Sequence, residues 1–247
     1  MFNKLQYHKT LAPKIWNDDE TINPLFSQSV QTMVFGFIKY LNDFLGLPIT
    51  SHTVQDIILH GSIANYYWDK HSDIDIMVIL DFTELRRAFP NLNEKSFFNA
   101  LFRVYKATFK TSLFGRSIDV MLFDYDELVR SRSCNTDTLY SLMHEQWVIK
   151  PRRLTKPEFK KIRRIAYKKY RVLLRQGKYI LKNHMSHEFI DTYLVTLKRL
   201  RHNSVRSQPD LIITSTQMAF KMLRNTGIHE KLYRESKRQL SHVYTLK

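Results

Sequence analysis

The spacing of apolar residues changes twice within the first 150 positions. Apolar residues three and four apart predict a helix that begins at Pro24 and ends before Gly46. The helical spacing returns over residues 94–111. Between and after these helices, short apolar runs predict strands at residues 54–59, 73–80 and 117–123. We predict a further helix at residues 136–147, with a strand at 145–149 as the alternative.

Beyond residue 150 the apolar residues keep to the helical spacing and predict four helices. The four stripes begin near Phe159, Phe189, Met218 and Ile228. We therefore expect an α/β domain, with a small mixed sheet flanked by helices, at residues 1–150. An all-α domain is expected at residues 151–247.

The composition is that of a folded globular chain. Of the 247 residues, 43% are hydrophobic and 13% are aromatic, which excludes an intrinsically disordered protein. Cys134 is the single cysteine, so a disulfide framework is excluded and a reducing compartment is expected. The sequence has neither the apolar segment of a signal peptide nor the roughly 20 apolar residues that span a bilayer. We expect a cytoplasmic protein without a membrane partner.

Charge is distributed unevenly along the chain. The net charge is +16, but residues 151–247 contain 24 Lys and Arg against 6 Asp and Glu, whereas residues 1–150 contain 15 against 17. This surplus exceeds ordinary surface decoration and favours contact between the second half and a polyanion. The alternative is that these cations are solvated side chains on surface helices.

Two short polar motifs border the predicted strands. Gly61 and Ser62 close the first apolar run, and Asp73-Ile74-Asp75 opens the next one ten residues later. A tight turn with free N–H groups holds a phosphate, and two carboxylates hold a hard cation such as Mg²⁺. Because residues two apart on a strand point to the same face, the two aspartates of this Asp-x-Asp motif are expected side by side. Alone, such a pair also fits ordinary polar residues at a strand end.

A third carboxylate lies in a separate predicted strand. Asp119 is flanked by apolar residues, 44 positions after Asp75. If the two strands are neighbours, all three carboxylates converge, which suits a site with two metal ions about 4 Å apart. On its own, Asp119 fits an ordinary strand-edge residue equally well.

The combination of the Gly-Ser turn, the Asp-x-Asp motif and the third aspartate resembles the DNA polymerase β-type nucleotidyltransferase superfamily. The spacing is most similar to that of the minimal and aminoglycoside nucleotidyltransferases. The resemblance implies that Gly61 and Ser62 bind the β- and γ-phosphates of an NTP such as ATP. It implies that Asp73, Asp75 and Asp119 are catalytic and hold two Mg²⁺ ions, with Mn²⁺ as an alternative. The implied reaction transfers a nucleotide to a hydroxyl group and releases pyrophosphate.

The resemblance covers residues 54–123, and this chain departs from it at one point. Many relatives carry Arg-Gly shortly after the Gly-Ser turn, where this chain has Asn65 and three aromatic residues. We predict that Lys70 or Arg116 replaces the missing arginine at the triphosphate. The aromatic residues, which either stack on a base or cover the sheet, are Tyr66, Tyr67 and Trp68.

The basic half of the chain bears on the identity of the acceptor. One predicted helix carries cations interleaved with Tyr167 and Tyr170. The residues predicted to bind nucleic acid are Lys160, Arg164, Lys168, Arg171 and Arg175. Such a face binds phosphates regardless of base sequence, and aromatic side chains stack on unpaired bases. We therefore expect an RNA acceptor, with a tRNA-like 3′ end first among the candidates.

Four alternative functions are compatible with the sequence. The acceptor can be a small molecule, although a cationic drug requires an acidic pocket, or a protein side chain, as in toxin–antitoxin pairs. The protein can also be a non-catalytic RNA-binding protein on the same scaffold, against which the three aspartates count. Arg224 and His229 resemble the Arg-x4-His ribonuclease signature of HEPN domains, but Gly227 is expected to interrupt the helix which that signature needs. The other histidines, His60 among them, lack metal-ligand spacing and are expected to be ordinary polar residues.

Overall fold

The structure, a computed structural model, describes residues 7–109, 111–125, 138–206 and 213–245. It divides into two compact units, one within residues 6–152 and the other within residues 153–247. The first unit contains a mixed six-stranded sheet with flanking helices, and the described residues of the second are built from helices. The predicted class, an α/β part followed by an all-α part, is confirmed.

The first helix begins and ends where the sequence predicts. Helix α1 spans Pro24–Leu45, and the side chain of Asn23 caps it by accepting hydrogen bonds from the N–H groups of Leu25 and Phe26. Gly46 follows with φ +61°, the left-handed conformation that closes a helix. Local signals thus account for both ends of α1.

The six strands form a single sheet. They are Val54–His60 (β1), Ile74–Leu80 (β2), Ser112–Leu113 (β3), Arg116–Asp124 (β4), Leu139–Ser141 (β5) and Gln146–Ile149 (β6). Their order is β3-β4-β2-β1-β5-β6, with β2 antiparallel to β1 and parallel to β4. The parallel crossover from β2 to β4 runs through helices α2 (Thr83–Ala88) and α3 (Glu94–Phe109). The strands of the Asp-x-Asp motif and of the third aspartate are therefore neighbours, which is the condition under which the three carboxylates converge.

The two faces of the sheet bury different amounts of apolar surface. On one face Ile74, Ile76 and Val78 are fully buried in a large cluster that also contains Phe37 of α1 and Phe102 of α3. The other face carries a smaller cluster, made of Ile58, Met77, Ile79 and Leu139. By strand alternation, the three aspartates of interest lie on this second, less covered face.

The helix predicted at residues 136–147 is wrong. The described part of this segment forms β5 and β6, joined by a turn in which Glu145 has φ +50°. Strand β5 pairs with both β1 and β6, and Tyr140 packs edge-on against Trp16. These long-range contacts override the local helical spacing. The alternative, a strand within residues 145–149, is confirmed.

The second unit contains helices at the positions that the apolar stripes predict. They are Lys156–Lys182 (α4), His187–Arg206 (α5), Ser215–Asn225 (α6) and Ile228–Thr245 (α7). Thr155 and Glu158 form a capping box at the start of α4. Helix α4 packs against α6, and α5 packs against α7. In the ranges that the structure describes, no helix combines the length and apolar character needed to cross a membrane.

Candidate active site

The Gly-Ser turn follows β1 directly and lies against the Asp-x-Asp motif. Gly61 has φ +76°, and a Cβ at this position would collide with the carboxylate of Asp75. Only glycine permits the chain to approach this carboxylate so closely. Ser62 Oγ donates a 2.9 Å hydrogen bond to Ser72 Oγ, which also accepts one from the N–H group of Asp69. The predicted phosphate turn and the predicted metal ligands therefore belong to one site.

Strand register places the carboxylates at one end of one face. Asp75 of β2 pairs with Asp119 of β4, and on its other side it pairs with His60 of β1. Asp73 directly precedes β2, on the same face as Asp75 by alternation. The side chain of Asp119 is 57% exposed, whereas Asp73 and Asp75 are half-buried. The three predicted catalytic residues thus share one region of the sheet.

Asp119 has a partner that sequence reasoning missed. Lys106 Nζ of α3 lies 2.7 Å from Asp119 Oδ1 and 2.7 Å from Ser117 Oγ. The apolar stripe of α3 turns Phe102 and Tyr105 into the core, and Lys106 follows them beside β4. One lysine in an amphipathic helix gives no sequence signal, because its contact depends on how α3 packs against the sheet.

The carboxylates of this site are the oxygen donors that Mg²⁺ prefers. Among the described residues, no group of three or more His, Cys, Asp or Glu side chains is arranged to hold a metal ion. The ammonium group of Lys106 lies at one oxygen of Asp119, where an ion would otherwise bind. The site therefore supplies oxygen donors that suit a divalent ion, but the described side chains do not form a three-ligand cluster in this arrangement, and Asp119 would contribute Oδ1 only when Lys106 releases it.

The two cations predicted to contact the triphosphate differ in their surroundings. Arg116 Nη1 donates hydrogen bonds to the carbonyl oxygens of Asp69 (2.8 Å) and Ser72 (2.7 Å). Burial lowers the pKa of the Arg116 guanidinium, and the charges of Asp69 and Asp73 oppose that shift. Lys70 is exposed in the same loop. Arg116 therefore orders the loop that precedes β2, and contact of either cation with the triphosphate stays a prediction.

The aromatic residues after the Gly-Ser turn pack within the protein. Tyr66 and Tyr67 are buried, and the Tyr66 hydroxyl donates a 2.6 Å hydrogen bond to Glu20. Trp68 stacks on His8 with ring centroids 3.8 Å apart. Of the two predicted roles, these contacts agree with covering the sheet and not with stacking on a base.

His60 differs from the ordinary polar residue that its spacing predicts. The residue is only 7% exposed, and its Nε2 is buried with no hydrogen-bond partner among the described residues. Burial lowers the pKa of this imidazole to about 4, so the ring is neutral at pH 7. A buried, uncharged imidazole thus lies on the strand position that pairs with Asp75.

The cations predicted to bind nucleic acid form a row on one side of α4, which we call the basic row. Its members are Lys160, Arg164, Lys168, Arg171 and Arg175, and all five are exposed. The buried residues of α4, such as Ala166 and Tyr170, fall on the opposite side of the helix. Within the described ranges none of the five is ion-paired with a carboxylate. The basic row is therefore open to an external polyanion.

Arg224 and His229 lie on different helices. Helix α6 ends at Asn225, and Gly227, with φ +73°, precedes α7. The predicted interruption is confirmed, so this pair lacks the continuous helix of the ribonuclease signature. Burial lowers the pKa of His229, and the charges of Arg224 and Arg201 add to this shift.

Part of the first unit is similar to a known family. Residues 37–140 match the family model described as a nucleotidyltransferase domain. The matched segment contains the Gly-Ser turn, the Asp-x-Asp motif and Asp119, together with Lys106 and His60. No curated protein and no solved structure matches the chain.

Proposed function

We propose, from the nucleotidyltransferase domain that residues 37–140 carry, a metal-dependent transfer of a nucleotide from an NTP to RNA. The family match supports the general reaction, in which a nucleotide passes to an acceptor. The choice of residues rests on one observation, the pairing of Asp75 with Asp119 beside the Gly-Ser turn. Our proposal goes beyond the family match in two respects, namely that the acceptor is RNA and that the reaction requires a divalent metal ion.

In-line attack on the α-phosphorus depends on positioning and charge neutralisation rather than on covalent chemistry. The N–H groups of Gly61 and Ser62 would bind the terminal phosphates of the NTP. Asp73, Asp75 and Asp119 would hold Mg²⁺ or Mn²⁺, which neutralises the triphosphate and lowers the pKa of the attacking hydroxyl. Because Gly61 lies against Asp75, phosphates bound at this turn would lie next to these carboxylates.

Of the three carboxylates, Asp119 is the one that we assign to activation of the acceptor hydroxyl. Its side chain is the most accessible of the three, since Asp73 and Asp75 are half-buried. Lys106 holds its Oδ1 at 2.7 Å, which leaves the second oxygen for the metal ion that would activate an incoming hydroxyl. Lys106 is therefore a positioning residue for Asp119.

An RNA acceptor is supported by the second unit. The basic row presents five exposed cations on one helix face, which suits a phosphate backbone and repels a cationic drug. Transfer to a protein side chain or to a small molecule is the competing proposal, and it predicts no dependence on the basic row.

A labelling assay tests the proposal. The protein is incubated with Mg²⁺ and each α-³²P-labelled NTP, in separate reactions containing total RNA, total protein or a small-molecule extract. We expect label in RNA for one preferred NTP, no label after chelation of the metal, and none with Asp73→Asn. Asp43→Asn, which removes an exposed carboxylate on α1, is the control and should label like the parent.

The kind of molecule that becomes labelled distinguishes the proposed RNA acceptor from a protein or a small-molecule acceptor. Label in protein or in small molecules would refute the RNA acceptor while leaving nucleotidyl transfer intact. If no fraction is labelled with any NTP, in Mg²⁺ or in Mn²⁺, the transfer reaction itself is excluded.

A further inference from the structure

A cavity of about 450 Å³ lies among helices α5, α6 and α7 of the second unit. Its volume falls within the roughly 300–1,000 Å³ of small-ligand sites. The side chains that define its chemistry are Asp191, Lys198, Arg201, Phe220, His229 and Tyr233. None of these residues belongs to the basic row or to the site on the sheet, so the cavity is a separate feature.

One end of the cavity combines a cation with aromatic rings. The guanidinium of Arg201 lies 5.5 Å from the centroid of the Phe220 ring, and His229 packs edge-on against that ring at 5.4 Å. Lys198 lies one turn before Arg201 on the same face of α5. Since burial and neighbouring cations lower the pKa of His229, its ring is a neutral hydrogen-bonding group at pH 7.

The far end of the cavity is marked by a carboxylate. Asp191 Oδ1 accepts a 2.5 Å hydrogen bond from Ser236 Oγ of α7. Because Asp191 lies ten residues before Arg201, the two ends are about 15 Å apart along α5. Tyr233 lies between His229 and Ser236 on α7, half-exposed, with the ammonium of Lys237 4.8 Å from its ring centroid.

This arrangement suits a ligand with a planar ring and a negative charge. The rings of Tyr233 and Phe220 line the cavity, each with a cation over one side, and Lys198 and Arg201 outnumber the single carboxylate, Asp191. A nucleoside phosphate has a base to stack, a phosphate for the cations, and ribose hydroxyls that can donate to a carboxylate. A polycation would be repelled by the same residues, and a simple anion would leave the rings unused.

We infer that this cavity binds one unpaired nucleotide of the RNA acceptor, with its base on Tyr233 and its phosphate at Lys198 and Arg201. The choice of RNA over a free nucleotide rests on the proposed function. The inference adds a specific subsite to the non-specific contacts of the basic row. It also gives the half-exposed Tyr233 a role beyond helix packing.

Binding of a fluorescein-labelled, single-stranded RNA 10-mer, measured by anisotropy without any NTP, tests the inference. Tyr233→Ala should weaken binding roughly tenfold, because stacking of one base is lost, whereas Tyr233→Phe should bind like the parent. Arg201→Ala should also weaken binding and reduce its salt dependence by one phosphate contact. Arg199→Ala removes an exposed cation of the same helix that does not line the cavity, and it should have little effect.

The binding assay contains no NTP, so a failure of the transfer reaction does not affect this test. RNA that contains 4-thiouridine should crosslink to the peptide around Tyr233 upon irradiation. Parent-like binding by both Tyr233→Ala and Arg201→Ala would overturn the inference. Competition by free AMP or UMP at concentrations equal to the oligomer would assign the cavity to free nucleotides instead.

Discussion

Two regions of this protein concentrate charge, and they do so by different physical means. On the sheet, Asp75 and Asp119 are fixed by strand register, and Gly61 approaches the Asp75 carboxylate so closely that no side chain fits between them. On α4, the basic row repeats exposed cations at helical spacing without ion-pair partners in the described ranges. In the first region, function should depend on where each charge is held. In the second region, it should depend on how many charges are present.

This difference predicts different responses to substitution. A carboxylate in a fixed arrangement has no replacement when it is removed, so each loss should be large. Exposed cations that contact a flexible polyanion contribute separately and are screened by salt, so each loss should be small and additive. We therefore expect the largest losses on the sheet and smaller losses on α4.

The largest effect is expected at the Asp-x-Asp motif. Asp75→Asn removes a negative charge at the centre of the site and should lower nucleotidyl transfer about a thousandfold, which corresponds to about 4 kcal/mol of transition-state stabilisation. Rates of label incorporation into RNA measure the change. Asp43→Asn on α1 should retain the parent rate. Less than a tenfold loss for Asp75→Asn would remove this residue from the catalytic site.

Low pH should destabilise the first unit through protonation of His60. The pKa of this imidazole is about 4 in the fold, against about 6.5 when unfolded, so between these values the unfolded state binds more protons. The neutral imidazole contributes its full share of the free energy of unfolding above pH 6.5. This share is lost as the pH falls, and the loss reaches about 3 kcal/mol near pH 4. Urea unfolding from pH 7 to pH 4 measures this loss.

Two variants separate His60 from other groups that titrate in this range. His60→Met removes the imidazole and should flatten the pH dependence of the free energy of unfolding. His144→Gln removes an exposed histidine of the same unit and should leave that dependence unchanged. An equal slope in His60→Met and in the parent would contradict the assignment.

Gly61→Ala should separate backbone strain from crowding of the active site. The new Cβ would collide with the Asp75 carboxylate, so we expect transfer to fall about a hundredfold. Gly115→Ala is the matched control, because Gly115 has a similar φ of +73° but no atom within 4 Å of the place that a Cβ would occupy. The shared left-handed φ should cost both variants about 1 kcal/mol of stability, and the collision should add to the loss in Gly61→Ala. Urea unfolding measures both losses, and only Gly61→Ala should lose activity. Equal losses of activity would show that strain alone is responsible.

The sheet region could be predicted from sequence where its signals are local or repeated. Gly46 and the stripe before it give α1, and the apolar runs give β1, β2 and β4. The spacing of Gly61, Asp75 and Asp119 resembles a known family, and the register agrees with that resemblance. The error at residues 136–147 arose because pairing with β1 decides this segment, and pairing is not a local property.

The ion pair of Lys106 and the burial of His60 could not be predicted from the sequence for a related reason. The ion pair of Lys106 with Asp119 exists because α3 packs against β4, and nothing within α3 distinguishes this lysine from its exposed neighbours. The burial of His60 depends on what covers the second face of the sheet. In contrast, the basic row follows from helical spacing alone, so its exposure was predictable from the positions of the buried residues on α4.

A smaller effect is expected when several cations of the basic row are removed together. Alanine at Lys160, Arg164 and Lys168 should weaken binding of the single-stranded RNA 10-mer and lower the slope of log affinity against log salt by about 2, from three lost phosphate contacts at about 0.7 each. Anisotropy at several salt concentrations measures both quantities. Alanine at three exposed cations of the first unit, Lys14, Lys39 and Arg103, makes the same change in net charge. An equal loss in this control would mean that net charge, and not the row, governs binding.

The smallest effect is expected from a single member of the basic row. Arg171→Ala should weaken RNA binding only two- to threefold and lower the salt slope by about 0.7, because the remaining cations keep their own phosphate contacts. Arg171→Lys keeps the charge and should bind like the parent, since no bidentate partner for Arg171 exists among the described residues. If Arg171→Ala alone weakened binding as much as the triple variant, α4 would contain a position-dependent site like the one on the sheet. The contrast between individually fixed carboxylates on the sheet and interchangeable cations on α4 would then fail.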